Sequence, residues 1–200
     1  MNLSNVEVSN SGYVSQGSSS HGGVIYSTGT VNISSSIFSG NTGGLGGVVY
    51  MEGGTLSMSD STFTGNSALK GGVVYALNGT DIVSTNNSFL SNSAVNSGFG
   101  GVFSILYTVS LTEDGSLYDS NTAESHGGVF YGYHNVNVST PNQISISNAT
   151  FQDNEGNQNV IANGNGGVMY IYNRSTITVS DTVFDSNVSA GGGVAWIVGS

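Results

Sequence analysis

Gly46-Gly47-Val48-Val49-Tyr50, then Leu56 and Met58, then Phe63-Thr64-Gly65-Asn66, and again Gly71-Gly72-Val73-Val74-Tyr75: within this stretch the chain states a unit and starts it over. Outward from here the same two-part unit fills nearly the whole sequence. Gly-Gly-Val triplets begin at Gly22, Gly46, Gly71, Gly100, Gly127, Gly166 and Gly192. Between them lie Phe38 to Asn41, Phe63 to Asn66, Phe89 to Asn92, Tyr118 to Asn121, Phe151 to Asn154 and Phe184 to Asn187. Self-similarity at such a period marks a solenoid, in which each cycle is one coil that buries its apolar face only by stacking on its neighbours.

Alignment on the aromatic residue exposes the strands. Seven positions earlier stand Val31, Leu56, Ile82, Leu111, Ile144 and Ile177, and two positions after those stand Ile33, Met58, Ser84, Glu113, Ile146 and Val179. Period-two alternation is a strand with one buried face. A column of Ser35, Asp60, Asn86, Gly115, Asn148 and Asp181 follows, residue types that bend the backbone locally. The segment after each Gly pair is again β-rich. The prediction is an all-β fold, a single-stranded parallel β-helix (β-solenoid) of about seven rungs, each of three short strands, with rungs ~4.8 Å apart. Residues 1–200 are read as a single repeat domain, a segment of a longer chain or a stacking fibre subunit. Phe38, Phe63, Phe89, Phe151 and Phe184 are expected to stack inside it. Asn41, Asn66, Asn92, Asn121, Asn154 and Asn187 are expected to form a hydrogen-bonded ladder at a corner, and the Gly pairs to occupy a corner that a Cβ would penalise.

These paired elements resemble the repeats of the chlamydial polymorphic membrane proteins and related β-helical surface adhesins. The resemblance covers residues 13 to 198, with Val where Ala is usual after the Gly pair. It implies a secreted or surface-anchored protein that contacts host or neighbouring cells. Composition narrows the partners. The net charge is −10, and Lys70 and Arg174 are the sole cations, so no basic patch can hold a phosphate backbone and nucleic acid is excluded as a partner. Cysteine is absent, which removes disulfides and thiolate metal sites. No apolar run is long enough to cross a membrane as a helix, so no membrane insertion is expected of this segment.

Catalysis has to be tested because β-helices also carry pectate-lyase-like and polygalacturonase-like enzymes. Hydrolysis of a glycosidic bond needs two carboxylates within roughly 5 to 10 Å. Asp60 and Asp181 share a column four rungs apart, while Asp153 and Asp185, with Asp119 one rung before, fall on adjacent rungs. No catalytic residue is assigned, and no cofactor is expected. Asp153 with Asp185 is the one place for a Ca²⁺ ion, against the usual role of scattered acids as a solvated surface. A carbohydrate-binding or carbohydrate-active β-helix is the alternative to an inert module. His21 and His126 directly precede Gly pairs and read as turn residues. Tyr133, His134 and Asn135 open an expanded stretch that runs through Pro141, where a sugar could stack and hydrogen-bond. Asn-x-Ser/Thr sequons at Asn2, Asn32, Asn78, Asn86, Asn137, Asn148, Asn173 and Asn187 allow N-linked glycans, close to the number chance alone supplies.

The surface carries the strongest functional clue. Three consecutive apolar columns follow each Gly pair, and a strand buries only alternate residues. With the Val column and the third column inside, Ile25, Val49, Val74, Phe103, Phe130, Met169 and Ala195 form the outward stripe. With those residues inside, the outward column is Tyr26, Tyr50, Tyr75, Tyr131, Tyr170 and Trp196, interrupted by Ser104, with the Val column beside it. The second arrangement is favoured, because Ile, Val, Phe and Met are core fillers and a Tyr hydroxyl prefers water. Such a stripe marks a contact surface. The sequence therefore points to a non-enzymatic extracellular or cell-surface structural or adhesion module. Its expected partners are copies of itself, further rungs of the parent chain, or a cell-surface glycan or protein.

Overall fold

The computed structural model describes residues 1–12, 21–134, 139–157 and 165–199. Four parallel sheets run the length of a rod, and successive strands of one sheet come from successive repeats. Sheet A holds Asn2–Ser4, Thr30–Ser34, Thr55–Ser59, Asp81–Thr85, Ser110–Asp114, Asn142–Ser147 and Ser175–Ser180. Sheet B follows across a corner, from Glu7–Ser9 to Val183–Asp185, also with seven strands. Sheet D, entered after each Gly pair, runs from Ile25–Ser27 to Ala195–Val198 with seven more. Between B and D lies sheet C, five short strands from Ser67–Lys70 to Val188–Ser189. The β-helix and its three main strands per rung are as predicted, and sheet C adds a fourth strand just past the Asn corner. The described residues include no helix, hence none long and apolar enough to cross a membrane.

Register is kept from rung to rung. Val31, Leu56, Ile82, Leu111, Ile144 and Ile177 pair in one inward column of sheet A. Phe38, Phe63, Phe89, Tyr118, Phe151 and Phe184 pair in sheet B. Their rings stack with centroids 4.5 to 5.3 Å apart and planes within 11°. The spacing of the rungs thus sets the spacing of the rings, in the offset-stacked range that aromatic pairs favour.

The Asn corner closes every polar group it buries. The Oδ1 of Asn66 accepts both the backbone N–H and the Nδ2 of Asn41, at 3.0 and 2.9 Å, and the pattern continues through Asn92, Asn121, Asn154 and Asn187. The second Nδ2 hydrogen reaches back to the carbonyl of the preceding aromatic, as from Asn66 to Phe38 at 3.0 Å. A second ladder, not anticipated from the sequence, stands at the A–B corner. There Ser36 N–H donates to Ser61 Oγ, Ser61 N–H to Asn87 Oδ1 and Asn87 N–H to Ser116 Oγ. The bend before it is left-handed at Ser35, Asp60, Asn86, Gly115, Asn148 and Asp181, with φ between 47° and 75°.

The two glycines of each pair answer different demands. The first, as at Gly46 and Gly71, has φ of 70° and 64°. The second approaches the next rung so closely that a Cβ on Gly47 would sit on the carbonyl oxygen of Gly72. This corner also corrects the expected parity. Val48, Val73, Val102, Val129 and Val168 are fully buried, together with Val49, Val74, Phe103 and Phe130 directly after them. The Val residue lies in the bend, not in the strand, and both Val48 N–H and Val49 N–H donate to the carbonyl of Val73. Alternation starts only at the second residue, so two neighbours point inward and the Val column does not border the Tyr stripe.

Candidate functional site

The outer face of sheet D carries the side chains that the interior does not need. Tyr26, Tyr50, Tyr75, Ser104, Tyr131, Tyr170 and Trp196 pair in one outward column. Beside it, on the same face, run Glu52, Leu77, Leu106, Tyr133, Tyr172 and Val198. On the other flank, residues ahead of the Gly pairs form bridges from Leu45 to Lys70 to Phe99 to His126 to Asn165. His21 and His126 are therefore more than turn residues. His126 stacks on Tyr170 at 4.3 Å, and His21 meets Tyr26 and Tyr50 edge-on at 4.9 Å. Sequence reasoning missed this flank, although an aromatic or imidazole before Gly-Gly on several rungs was the available signal.

The Tyr ladder faces outward, yet it is unevenly open. Tyr26 and Trp196 are 51% and 41% exposed, whereas Tyr50 and Tyr75 are only 7% and 8% exposed. Rings stacked at 5.2 Å cover one another, and a small cluster outside the rod, Leu45, Leu77, Leu106, Tyr107 and Tyr133, packs over Tyr50 and Tyr75. Burial pushes the Tyr75 phenol up to about 12 and raises Tyr131 as well. The stripe is thus sealed at its middle and open at both ends.

Ser104 breaks the ladder. It is fully buried and its hydroxyl has no hydrogen-bond partner. Tyr107 packs against the cluster of Tyr50, Tyr75 and Leu106 and meets Tyr133 edge-on at 5.7 Å. Tyr107 and Thr108 reach that position with φ of 60° and 64°. The equivalent turns two rungs and one rung before are Gly53-Gly54 and Asn78-Gly79, types that take this conformation more cheaply.

The remaining predicted residues separate. Tyr133 stacks on Tyr172 at 5.8 Å on the outer face. His134 is fully buried, with Nε2 2.8 Å from the Thr140 carbonyl and its own carbonyl accepting from Asn173 Nδ2, so it pins the expanded stretch and cannot meet a sugar. Asn135 lies outside the described residues. Asp119 and Asp185 share a column with Gln152 between them, and Asp153 occupies a left-handed turn beside that column. Asp119 already accepts from Ser120 and Gln152, and Asp185 from Ser186. Among the described residues no three acids or histidines gather as a metal site. The sequons at Asn2, Asn32, Asn78, Asn86 and Asn148 are exposed, Asn173 and Asn187 are half-buried and hydrogen-bonded, and Asn137 lies outside the described residues.

One carboxylate is inside the rod. Glu113 is fully buried in the column of Ile33, Met58 and Ile146, accepts from Ser116 N–H at 3.0 Å and from the Tyr118 hydroxyl at 2.7 Å, and is also bonded by Ser84. Burial pushes its carboxyl up, and these hydrogen bonds pull it part of the way back. The site is closed to solvent and structural.

A continuous solenoid with hydrogen-bonded corners and one aromatic outer face defines a β-helical repeat protein. The family model of the Chlamydia polymorphic membrane protein repeat matches residues 60–77, which span Phe63 to Asn66 and Gly71-Gly72-Val73. The chain carries a repeat of that type, from a family of surface-associated proteins. No curated protein and no solved structure matches it.

Proposed function

We propose that the chain is a non-enzymatic extracellular or cell-surface module that makes contact through the outer face of sheet D. The observation that carries this reading is the uneven exposure of its aromatic ladder: the middle is sealed by its own side chains, while Tyr26, Tyr172 and Trp196 stay open. Stacked rings present edges and hydroxyls outward and leave little apolar face to solvent, which suits reversible contact with a cell-surface protein or glycan or with a second copy. The repeat type supports surface location, and the acidic, cation-poor composition disfavours a polyanionic partner. Asp119 and Asp185 of sheet B accept hydrogen bonds from neighbouring hydroxyls or amides, which favours a role as surface over a role as catalyst.

The test replaces Tyr26, Tyr172 and Trp196 by Ser and compares the variant with the parent in sedimentation velocity and in adherence to cultured cells. The expected result is loss of self-association or adherence with an unchanged circular dichroism spectrum. A variant that associates and adheres like the parent would remove the proposal.

A further inference from the structure

Arg174 is the chain's one guanidinium, in a protein with 12 acidic residues, and it makes no hydrogen bond or ion pair among the described residues. It lies at the D-to-A corner, in the turn between Met169–Tyr172 and Ser175–Ser180, beside a cavity of about 280 Å³. Ser139 and Pro141, the end of the expanded stretch, form one wall, and Asn173, Ser175 and Thr176 form another. Among the described residues no carboxylate lines it. The Ser175 hydroxyl is buried and unpartnered, while the neighbouring Asn173 amide is spent on the His134 carbonyl, which fixes the turn.

We propose that this corner binds a single sugar ring bearing one oxyanion, a carboxylate or a sulfate ester. A guanidinium offers a planar fork of donors matched to such a group, and an unpaired one amid excess acid is free for it. Hydroxyls at Ser139 and Thr176 suit the ring hydroxyls, and Pro141 with Ile197 supplies apolar surface for the ring. The volume is near the lower end for small-ligand pockets, so one ring fits and a long chain does not. A polyanion is further disfavoured by the net charge of −10, which repels it beyond the reach of a single cation.

This inference names a ligand for the contact role proposed above, but the site is measured in solution independently of that role. The whole chain, labelled with ¹⁵N, is titrated with glucuronic acid, N-acetylneuraminic acid and glucose 6-sulfate, and separately with glucose and sodium sulfate. Saturable shifts are expected at Ser139 and Arg174 to Thr176 with at least one acidic sugar, while glucose and sulfate each bind about tenfold more weakly or worse. Which acidic sugar binds separates carboxylate from sulfate ester. Arg174→Gln should weaken binding about tenfold or more, Ser175→Ala by less, and Lys70→Gln, with the same change of net charge elsewhere, not at all. Arg174 is exposed, so its variant keeps the fold. Absence of shifts with all three acidic sugars, glucose binding as tightly as glucuronic acid, sulfate ion binding as tightly as the sulfated sugar, or an Arg174→Gln variant of unchanged affinity would each overturn the proposal. Adherence lost in the aromatic variant with sugar binding intact, or the reverse, tells the two proposals apart.

Discussion

Replacing Glu113 by Ala should destabilise the rod, and the structure says both how much and how to undo it. At the A–B corner each rung's N–H is taken by the side chain of the next rung: Ser36 by Ser61, Ser61 by Asn87, Asn87 by Ser116. The next residue in line is Ala149, which has no acceptor, so Glu113 reaches from its own rung to take the Ser116 N–H. The carboxylate also holds the buried Tyr118 hydroxyl. Glu113→Ala orphans the Ser116 N–H and the Tyr118 hydroxyl and removes an acceptor from Ser84. Each orphaned donor costs about 1–3 kcal/mol, and relief of the buried carboxyl's own desolvation offsets part, leaving a net loss of roughly 2–4 kcal/mol. Ala149→Ser restores the acceptor that the ladder lacks. Its own hydroxyl has a ready partner, because Ser36 and Ser61 bond the carbonyl two residues back, at 2.7 Å in both cases. In the Glu113→Ala background Ala149→Ser should return about 1–2 kcal/mol, while in the parent it should change little. Urea unfolding of the four proteins, followed by circular dichroism, yields the coupling. If Glu113→Ala costs nothing, or if Ala149→Ser gives the same increment in both backgrounds, the ladder-completion argument fails.

The same residue makes a pH prediction. Burial raises the Glu113 carboxyl in the folded state, so its stabilising contribution is full below the unfolded value of about 4.3 and is lost as pH climbs through the folded one. Glu113→Gln should therefore gain on the parent between pH 4 and pH 8, by up to about 1.4 kcal/mol per unit in the titrating range, and a pH-independent difference in urea midpoints would count against it. Gly101→Ala should prevent folding, because the new Cβ meets the Gly128 and Thr122 carbonyls, whereas Gly65→Ala, with open space around it and φ of 61°, should cost only about 1 kcal/mol. Comparable thermal midpoints for the two would refute the division of roles among the glycines. Ser104→Ala removes a buried hydroxyl without a partner and should stabilise by about 1 kcal/mol, a gain that a Tyr75–Ser104 or Tyr131–Ser104 hydrogen bond in solution would turn into a loss.

What could be read from the sequence was whatever must recur once per rung. Phe63 and Asn66 occupy positions where a missed repeat would open a void or orphan an amide, so their columns stand out without any structure. The Val residue after each Gly pair misled for a physical reason: alternation describes strands, and Val48 lies in the bend ahead of one. The sealing of Tyr50 and Tyr75 was hidden because Leu106 and Tyr107 reach them from another column, and composition does not reveal which outer columns lean on each other. The chain-specific chemistry sits where a column breaks. Ser104 interrupts the Tyr column, Ala149 interrupts the corner ladder and draws Glu113 inside, and Arg174 stands at a corner that is Gly53-Gly54 and Asn78-Gly79 on two earlier rungs. Only the register shows which side chain answers each break. At Ala149 the answer comes from within the rod, and stability follows. At Arg174 no described residue answers, which makes that corner the place to look for a ligand.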